Sequence, residues 1–216
     1  MSHTLPDLTP LEARILGVLV EKEKTTPDAY PLTVNSLVAG CNQKTSRDPV
    51  MAASESELQS TLEELRGRLL VIESYGASGR VLRYAQNFGK CYGLPAASVA
   101  LLAVLMLRGP QTVSELRANC ERLYHFDDAS SVEAYLEELK ARGAGALVCK
   151  MPKQSGSREH RWAHCLCGEP EVPVAPERST GGDERMALLE ERVARLEDEM
   201  AQLREQLSYP VSIDTE

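Results

Sequence analysis

Residues 33–41 read TVNSLVAGC, and residues 112–120 read TVSELRANC. The same residue types recur at the same spacing: Thr33, Val34, Leu37 and Cys41, then Thr112, Val113, Leu116 and Cys120. A second pair of stretches repeats the match, LEELRGRLLV (62–71) against LEELKARGAGALV (136–148). The offset is 79 residues for the first pair and 74 for the second, as expected of a duplicated unit whose loops differ in length. Two copies are too few for a solenoid, so the pattern points to tandem domains.

Each copy carries three helix signals. In the first, Thr9 can cap a helix whose first position is Pro10, with Glu12 completing a capping box. Leu11, Ile15, Val18 and Leu19 then form one apolar stripe. A second helix is expected from about Thr33 to Ala39, and a third from Ser54, boxed by Glu57, with Leu58, Leu62, Leu65 and Leu69 inward. In the second copy Val99, Leu102 and Met106 mark helix one. Thr112 with Glu115 boxes helix two, and Ser130 with Glu133 boxes helix three. A hairpin follows each third helix: Leu70–Ser74 returning through Val81–Tyr84, and Ala146–Cys149 returning through His160–Ala163. Three helices followed by a hairpin is the element order of a winged helix, in which helix three usually enters the major groove. The fold class expected is therefore α+β, mostly helical, with two tandem winged-helix domains.

EKEKTTPDAYPLTVNSLVAGCNQKTSRDPV (21–50), SESELQ (54–59), LRGPQTVSELR (107–117) and the C-terminal heptads resemble the YceH-like family of uncharacterised bacterial proteins. The resemblance covers nearly the whole chain. It implies a tandem winged-helix fold in a bacterial cytoplasmic protein. It brings no established activity and no catalytic residues.

The tail reads differently. GEPEVPVAPERSTGG (168–182) has the composition of a flexible linker. Beyond it Met186, Val193, Met200 and Leu207 fall at heptad position a, and Leu189, Leu196 and Leu203 at d. Leu at every d position favours a parallel two-stranded coiled coil. The pairs Arg185–Glu190, Arg192–Glu197 and Glu199–Arg204 would then be attractive across a homodimer. The alternative is an amphipathic helix folded back on its own body. The expected organisation is 1–92 and 93–167 for the two winged helices, 168–182 for the linker, 183–208 for the coiled coil and 209–216 for a short end.

Of the 216 residues, the first 92 hold 11 acids and 10 bases, residues 93–168 hold 8 and 9, and the remainder hold 13 and 5. The net charge of −8 therefore lies in the tail, and the neutral body neither excludes nucleic acid nor argues for it. No apolar run approaches the roughly 20 residues that span a bilayer. With a start unlike a signal peptide and scattered cysteines, the expectation is a cytoplasmic protein without a membrane partner.

CNQKTSRDPV (41–50) falls at the turn ahead of the first copy's helix three. Lys44 and Arg47 are expected to be exposed and able to meet phosphates; Asn42, Gln43 and Thr45 can hydrogen-bond base edges. Arg66 and Arg68, at the end of helix three, and Arg80 and Arg83, on the wing, would extend a DNA track. Against it, Glu55, Glu57, Glu63 and Glu64 on helix three would repel a duplex, and a long polar loop can simply bond its own backbone. The second copy places Asp127 and Asp128 in the corresponding loop and puts its bases on the wing, at Lys150, Lys153, Arg158 and Arg161. Two readings stand: a dimeric DNA-associated protein, as a transcriptional regulator would be, or a scaffold that contacts another protein without binding DNA.

HRWAHCLC (160–167) offers zinc-ligand types in His160, His164, Cys165 and Cys167. On a strand the histidines face one side and the cysteines the other, and no CxxC is present, so a strand end with packed cysteines is favoured over a metal site. No P-loop, dinucleotide fingerprint or nucleophile elbow occurs. No enzyme, cofactor or metal is expected.

Overall fold

The computed structural model describes residues 7–75, 79, 81–153, 159–170, 190–197 and 199–202. The chain divides into two units, Met1–Val172 and Pro173–Glu216.

In the first unit the order is α1 (Pro10–Thr25), α2 (Val34–Cys41), α3 (Glu55–Gly67), β1 (Val71–Tyr75), β2 (Leu82–Gln86), α4 (Phe88–Cys91), α5 (Ala96–Arg108), α6 (Val113–Cys120), α7 (Ala129–Lys140), β3 (Val148–Lys150) and β4 (Trp162–His164). It is mostly helical with two small antiparallel hairpins, and each copy runs helix, helix, helix, hairpin in a winged-helix-like order. Among the described residues no helix is long and apolar enough to cross a membrane.

The caps form largely where the sequence places them. Thr9 with Glu12, Ser54 with Glu57 and Thr112 with Glu115 each make a reciprocal capping box. One differs. Helix α7 starts earlier than Ser130, because Asp128 accepts from the Ser131 N–H at 2.7 Å and so becomes the cap. An aspartate at that position is at least as good a cap as serine, and it is further stabilised by the helix dipole. The short α4 was not anticipated.

The repeat extends to the sheets. Leu32 bridges Tyr84 with paired hydrogen bonds of 3.0 and 2.8 Å, and Gln111 bridges Trp162 with bonds of 3.0 and 2.7 Å. Both bridging residues immediately precede the repeated Thr-Val, so each hairpin gains a third edge from the start of its helix two.

Both first helices are buried on all sides through their middle turns. Glu12 to Val20 are buried without interruption in α1, as are Ala97 to Leu107 in α5. These helices pack against each other, so a single apolar core runs through both copies. Each Leu, Ile or Val buried there contributes about 1.5–3 kcal/mol. Gly17 makes the close approach possible: a Cβ there would sit 2.9 Å from Leu107 Cγ. Further ties join the copies at their ends, Leu8 N–H to Leu166 O and Asp48 N–H to Leu107 O, each 2.8 Å.

Helix α3 ends unusually. Leu69 takes a left-handed φ of 60°, its N–H bonds Arg66 O, and the Leu70 N–H bonds Leu65 O. This is a Schellman termination, in which glycine is the usual residue. Leu69 is nevertheless 69% exposed.

In the second unit residues 190–197 and 199–202 are helical. Val193, Leu196 and Met200 are exposed there. Met186, Leu189, Leu203 and Leu207, the other residues of the expected seam, lie outside the described residues.

Candidate functional site

The turn between α2 and α3 is built around two arginines. A helix leaves its last carbonyls without partners. At the end of α2, Gly40 O accepts from Arg47 Nε at 3.0 Å, and Cys41 O accepts from Arg14 Nη1 at 3.0 Å. Arg14 comes from the apolar face of α1 and is fully buried; its Nη2 also donates to Pro49 O at 2.6 Å. Burial, with Arg47 alongside, pushes the Arg14 guanidinium below its ordinary value, while Cys41 and Asp48 oppose the shift. Burial likewise pushes the Cys41 thiol up to about 12, against the pull of both arginines.

Arg47 is buried, not exposed as expected from the sequence. Its side chain is closed to solvent and meets the Glu21 carboxylate twice, at 2.6 and 3.2 Å, and it also donates to Ser46 O at 2.9 Å. A paired carboxylate and two carbonyls satisfy the guanidinium, which offsets its desolvation. Nearby, Arg108 Nη2 at the end of α5 donates to Ser46 Oγ at 2.8 Å. Together with the Asp48–Leu107 bond, this makes 41–50 the buckle that fastens the first copy to the second.

The remaining track residues are engaged to different degrees. The Asn42 amide clamps Ala53 both ways, Nδ2 donating to Ala53 O at 2.8 Å and Oδ1 accepting from Ala53 N–H at 2.9 Å. Gln43 Nε2 donates to Thr45 O and Oγ1, an interaction within the loop. Lys44 is exposed. Arg66 pairs with Glu73 at 2.9 Å, which raises the Arg66 pKa, first through their hydrogen bond. Arg68 reaches Glu12 at 2.9 Å, the same carboxylate that closes the α1 capping box. Arg83 donates to Pro31 O at 2.7 Å and Ala29 O at 3.3 Å. Arg80 lies outside the described residues. Glu55, Glu57, Glu63 and Glu64 are all exposed on α3, and Glu133 and Glu138 are exposed on α7.

In the second copy Asp128 is the α7 cap, its carboxyl held below the usual range chiefly by the Ser131 N–H, while Asp127 is exposed. Arg117 holds the loop by donating to Phe126 O and Asp127 O. Arg161 pairs with Glu115, and Lys150 with Glu133 at 3.5 Å. The Thr112 N–H, then Arg161, lower the Glu115 pKa. Lys153 is exposed, and Arg158 lies outside the described residues.

The HRWAHCLC residues do not converge. His160 Nδ1 contacts Met151 O at 2.9 Å, and His164 turns inward, where burial pushes it down to about 4. Among the described residues no three of His, Cys, Asp or Glu gather as a metal-binding group.

Arg14, Glu21, Ser46 and Arg108 were not singled out in the sequence. The available signal was the lone arginine within the apolar run LEARILGVLV (11–20), since a charge on a buried helix face implies a specific partner.

The relatives of this chain share most of it. A UPF0502 protein of Leptothrix cholodnii is 54% identical over 190 residues, 85% of this chain and 84% of its own. That of Dechloromonas aromatica is 56% identical over 172 residues, 80% of each chain. One from Burkholderia orbicola is 53% identical over 180 residues, 83% of this chain and 75% of its own. A family model described as "Protein of unknown function, DUF480" matches residues 8–157, the interval from just before α1 to beyond β3 but short of β4, and the chain belongs to that family, the UPF0502 or YceH-like proteins.

Proposed function

We propose that the chain is a tandem winged-helix scaffold that binds protein, dimerises through a C-terminal coiled coil and does not read duplex DNA. One observation carries this reading: the third helix of each copy, which would enter a major groove, presents carboxylates to solvent. These are Glu55, Glu57, Glu63 and Glu64 on α3 and Glu133 and Glu138 on α7. The arginines that would compensate are committed within the fold, Arg47 to Glu21, Arg66 to Glu73 and Arg68 to Glu12. Affinity for DNA comes mainly from cations facing phosphates, and here those cations already have partners. The first wing instead exposes apolar groups, with Ile72 and Val81 each 48% exposed and Tyr75, on the opposite face of its strand from Ile72, 71% exposed. Large exposed apolar side chains are available to protein contacts. For the dimer, the support is the exposed Val193, Leu196 and Met200 on one helix.

A DNA-associated regulator is the second reading, favoured by the exposed lysines Lys44, Lys150 and Lys153. Fluorescence anisotropy of the full chain with labelled random-sequence duplex, from about 50 mM salt upward, separates the two. No binding at the lowest salt is the expected result. Binding whose salt slope falls by about one unit in Lys44→Ala would restore the DNA reading.

A further inference from the structure

The cysteines left over from HRWAHCLC have a neighbour on the opposing strand. In the second hairpin Cys149 pairs across from Ala163 and Val148 from His164. The next position pairs Leu147 with Cys165, whose N–H donates to Leu147 O at 2.8 Å. Side chains alternate along a strand, so Cys149 and Cys165 project from the same face as diagonal neighbours. Their thiols interact, and both residues are half-buried, open to a small reagent. Of the other free cysteines, Cys41 and Cys120 are sealed in the core, Cys91 donates to Leu69 O, and Cys167 is half-buried near Glu12 and Asp7.

We propose that Cys149 and Cys165 are a reversible thiol–disulfide pair, oxidised by a hydroperoxide, that cross-links the base of the second hairpin. One sulfur meets the oxidant and the other resolves it, and the product is the same whichever goes first; the steps follow with Cys149 oxidised first. In the first step the Cys149 sulfur takes one oxygen from the hydroperoxide; the O–O bond breaks, giving a sulfenic acid and an alcohol, or water from hydrogen peroxide. In the second, the Cys165 sulfur attacks the sulfenic sulfur; the S–O bond breaks, the S–S bond forms, and the departing hydroxide leaves as water with the Cys165 proton. A dithiol reductant reverses the change by two thiol exchanges. A bond between diagonal positions needs a local shift of one strand along the other, and strained disulfides are the labile ones suited to a reversible switch. The bond would hold Lys150 and Trp162, on adjoining strand positions, in a fixed relation. This inference goes beyond the protein-binding reading and does not depend on it.

The test uses the full chain, reduced, exposed to hydrogen peroxide, alkylated and digested with trypsin under non-reducing conditions. The expected product is GAGALVCK (143–150) joined to WAHCLCGEPEVPVAPER (162–178), two hydrogens lighter than the sum of the free peptides and released by dithiothreitol. Because the second peptide holds both Cys165 and Cys167, fragmentation of the wild-type cross-link must locate the bond at Cys165. The link should persist in Cys167→Ser and vanish in Cys165→Ser. A bond to Cys167, links only between chains, or sulfinic acid at Cys149 without any link would each overturn the proposal.

Discussion

Arg47 and Glu21 stand 26 residues apart and meet through two hydrogen bonds, 2.6 and 3.2 Å long, with the guanidinium side chain shut off from water. A residue with the local appearance of a phosphate ligand is thus a fastener for the end of α2. This makes the consequences of its loss structural.

Arg47→Ala should destabilise the chain by about 2–4 kcal/mol, since it strands Glu21 and leaves Gly40 O without its donor. Lys44→Ala, three residues away and exposed, should stay within about 0.5 kcal/mol of wild type. Urea unfolding of the two variants checks the contrast. Equal and small effects would mean that the Arg47 pair adds nothing.

Leu69→Gly should stabilise the isolated chain by about 0.5–1 kcal/mol, because glycine adopts the left-handed φ of 60° without a Cβ clash and the leucine side chain buries little. The check is the urea midpoint, with the slope unchanged. A loss of stability would show that Leu69 packs more than its exposure suggests.

Gly17→Ala should run against helix propensity. Alanine is favoured by about 1 kcal/mol in a helix interior. Here its Cβ would meet Leu107 Cγ at 2.9 Å and Ala103 O at 3.4 Å, and the overpacking should cost about 1–3 kcal/mol. Thermal melting decides the sign.

His164 should make stability pH-dependent. Its folded pKa, about 4, lies below the ordinary 6.5, so between those values the unfolded chain holds a proton that the folded chain does not. Its contribution is therefore complete above pH 6.5 and is lost as pH falls toward 4, by roughly 3 kcal/mol in all. Urea unfolding at pH 7.5, 6 and 5 should show a smaller decline in His164→Gln than in wild type. Parallel declines would assign the effect to other groups.

Removal of the tail should change mass in solution. Light scattering on a chain ending near Ser179 is expected to give a monomer where the full chain gives a dimer. A dimer from the shortened chain would move the interface to the body.

How much of this was legible in the sequence depended on how local the cause was. The boxes Thr9–Glu12, Ser54–Glu57 and Thr112–Glu115 each lie within three residues and were readable directly. Ser130–Glu133 failed because Asp128, two residues upstream, caps the Ser131 N–H and starts the helix early, which leaves Ser130 inside the first turn. The element order of both copies followed from apolar periodicity and the repeat. The fate of the candidate DNA residues did not, since the partners that engage Arg68 and Arg83 lie more than 50 residues away along the chain. No window centred on a basic residue can show which carboxylate or carbonyl will fold against it.

The fit of α1 onto α5 has a bearing on how the duplication is held. Each helix is buried all round through its middle turns and supplies a wall of the other copy's core. The halves therefore stand to each other as the subunits of an obligate heterodimer joined in one chain. Cut between Tyr92 and Gly93, they should precipitate singly and recover a soluble fold only when refolded as a pair. The packing of α1 on α5 then fixes how the two hairpins stand to each other, and any partner touching both must match it.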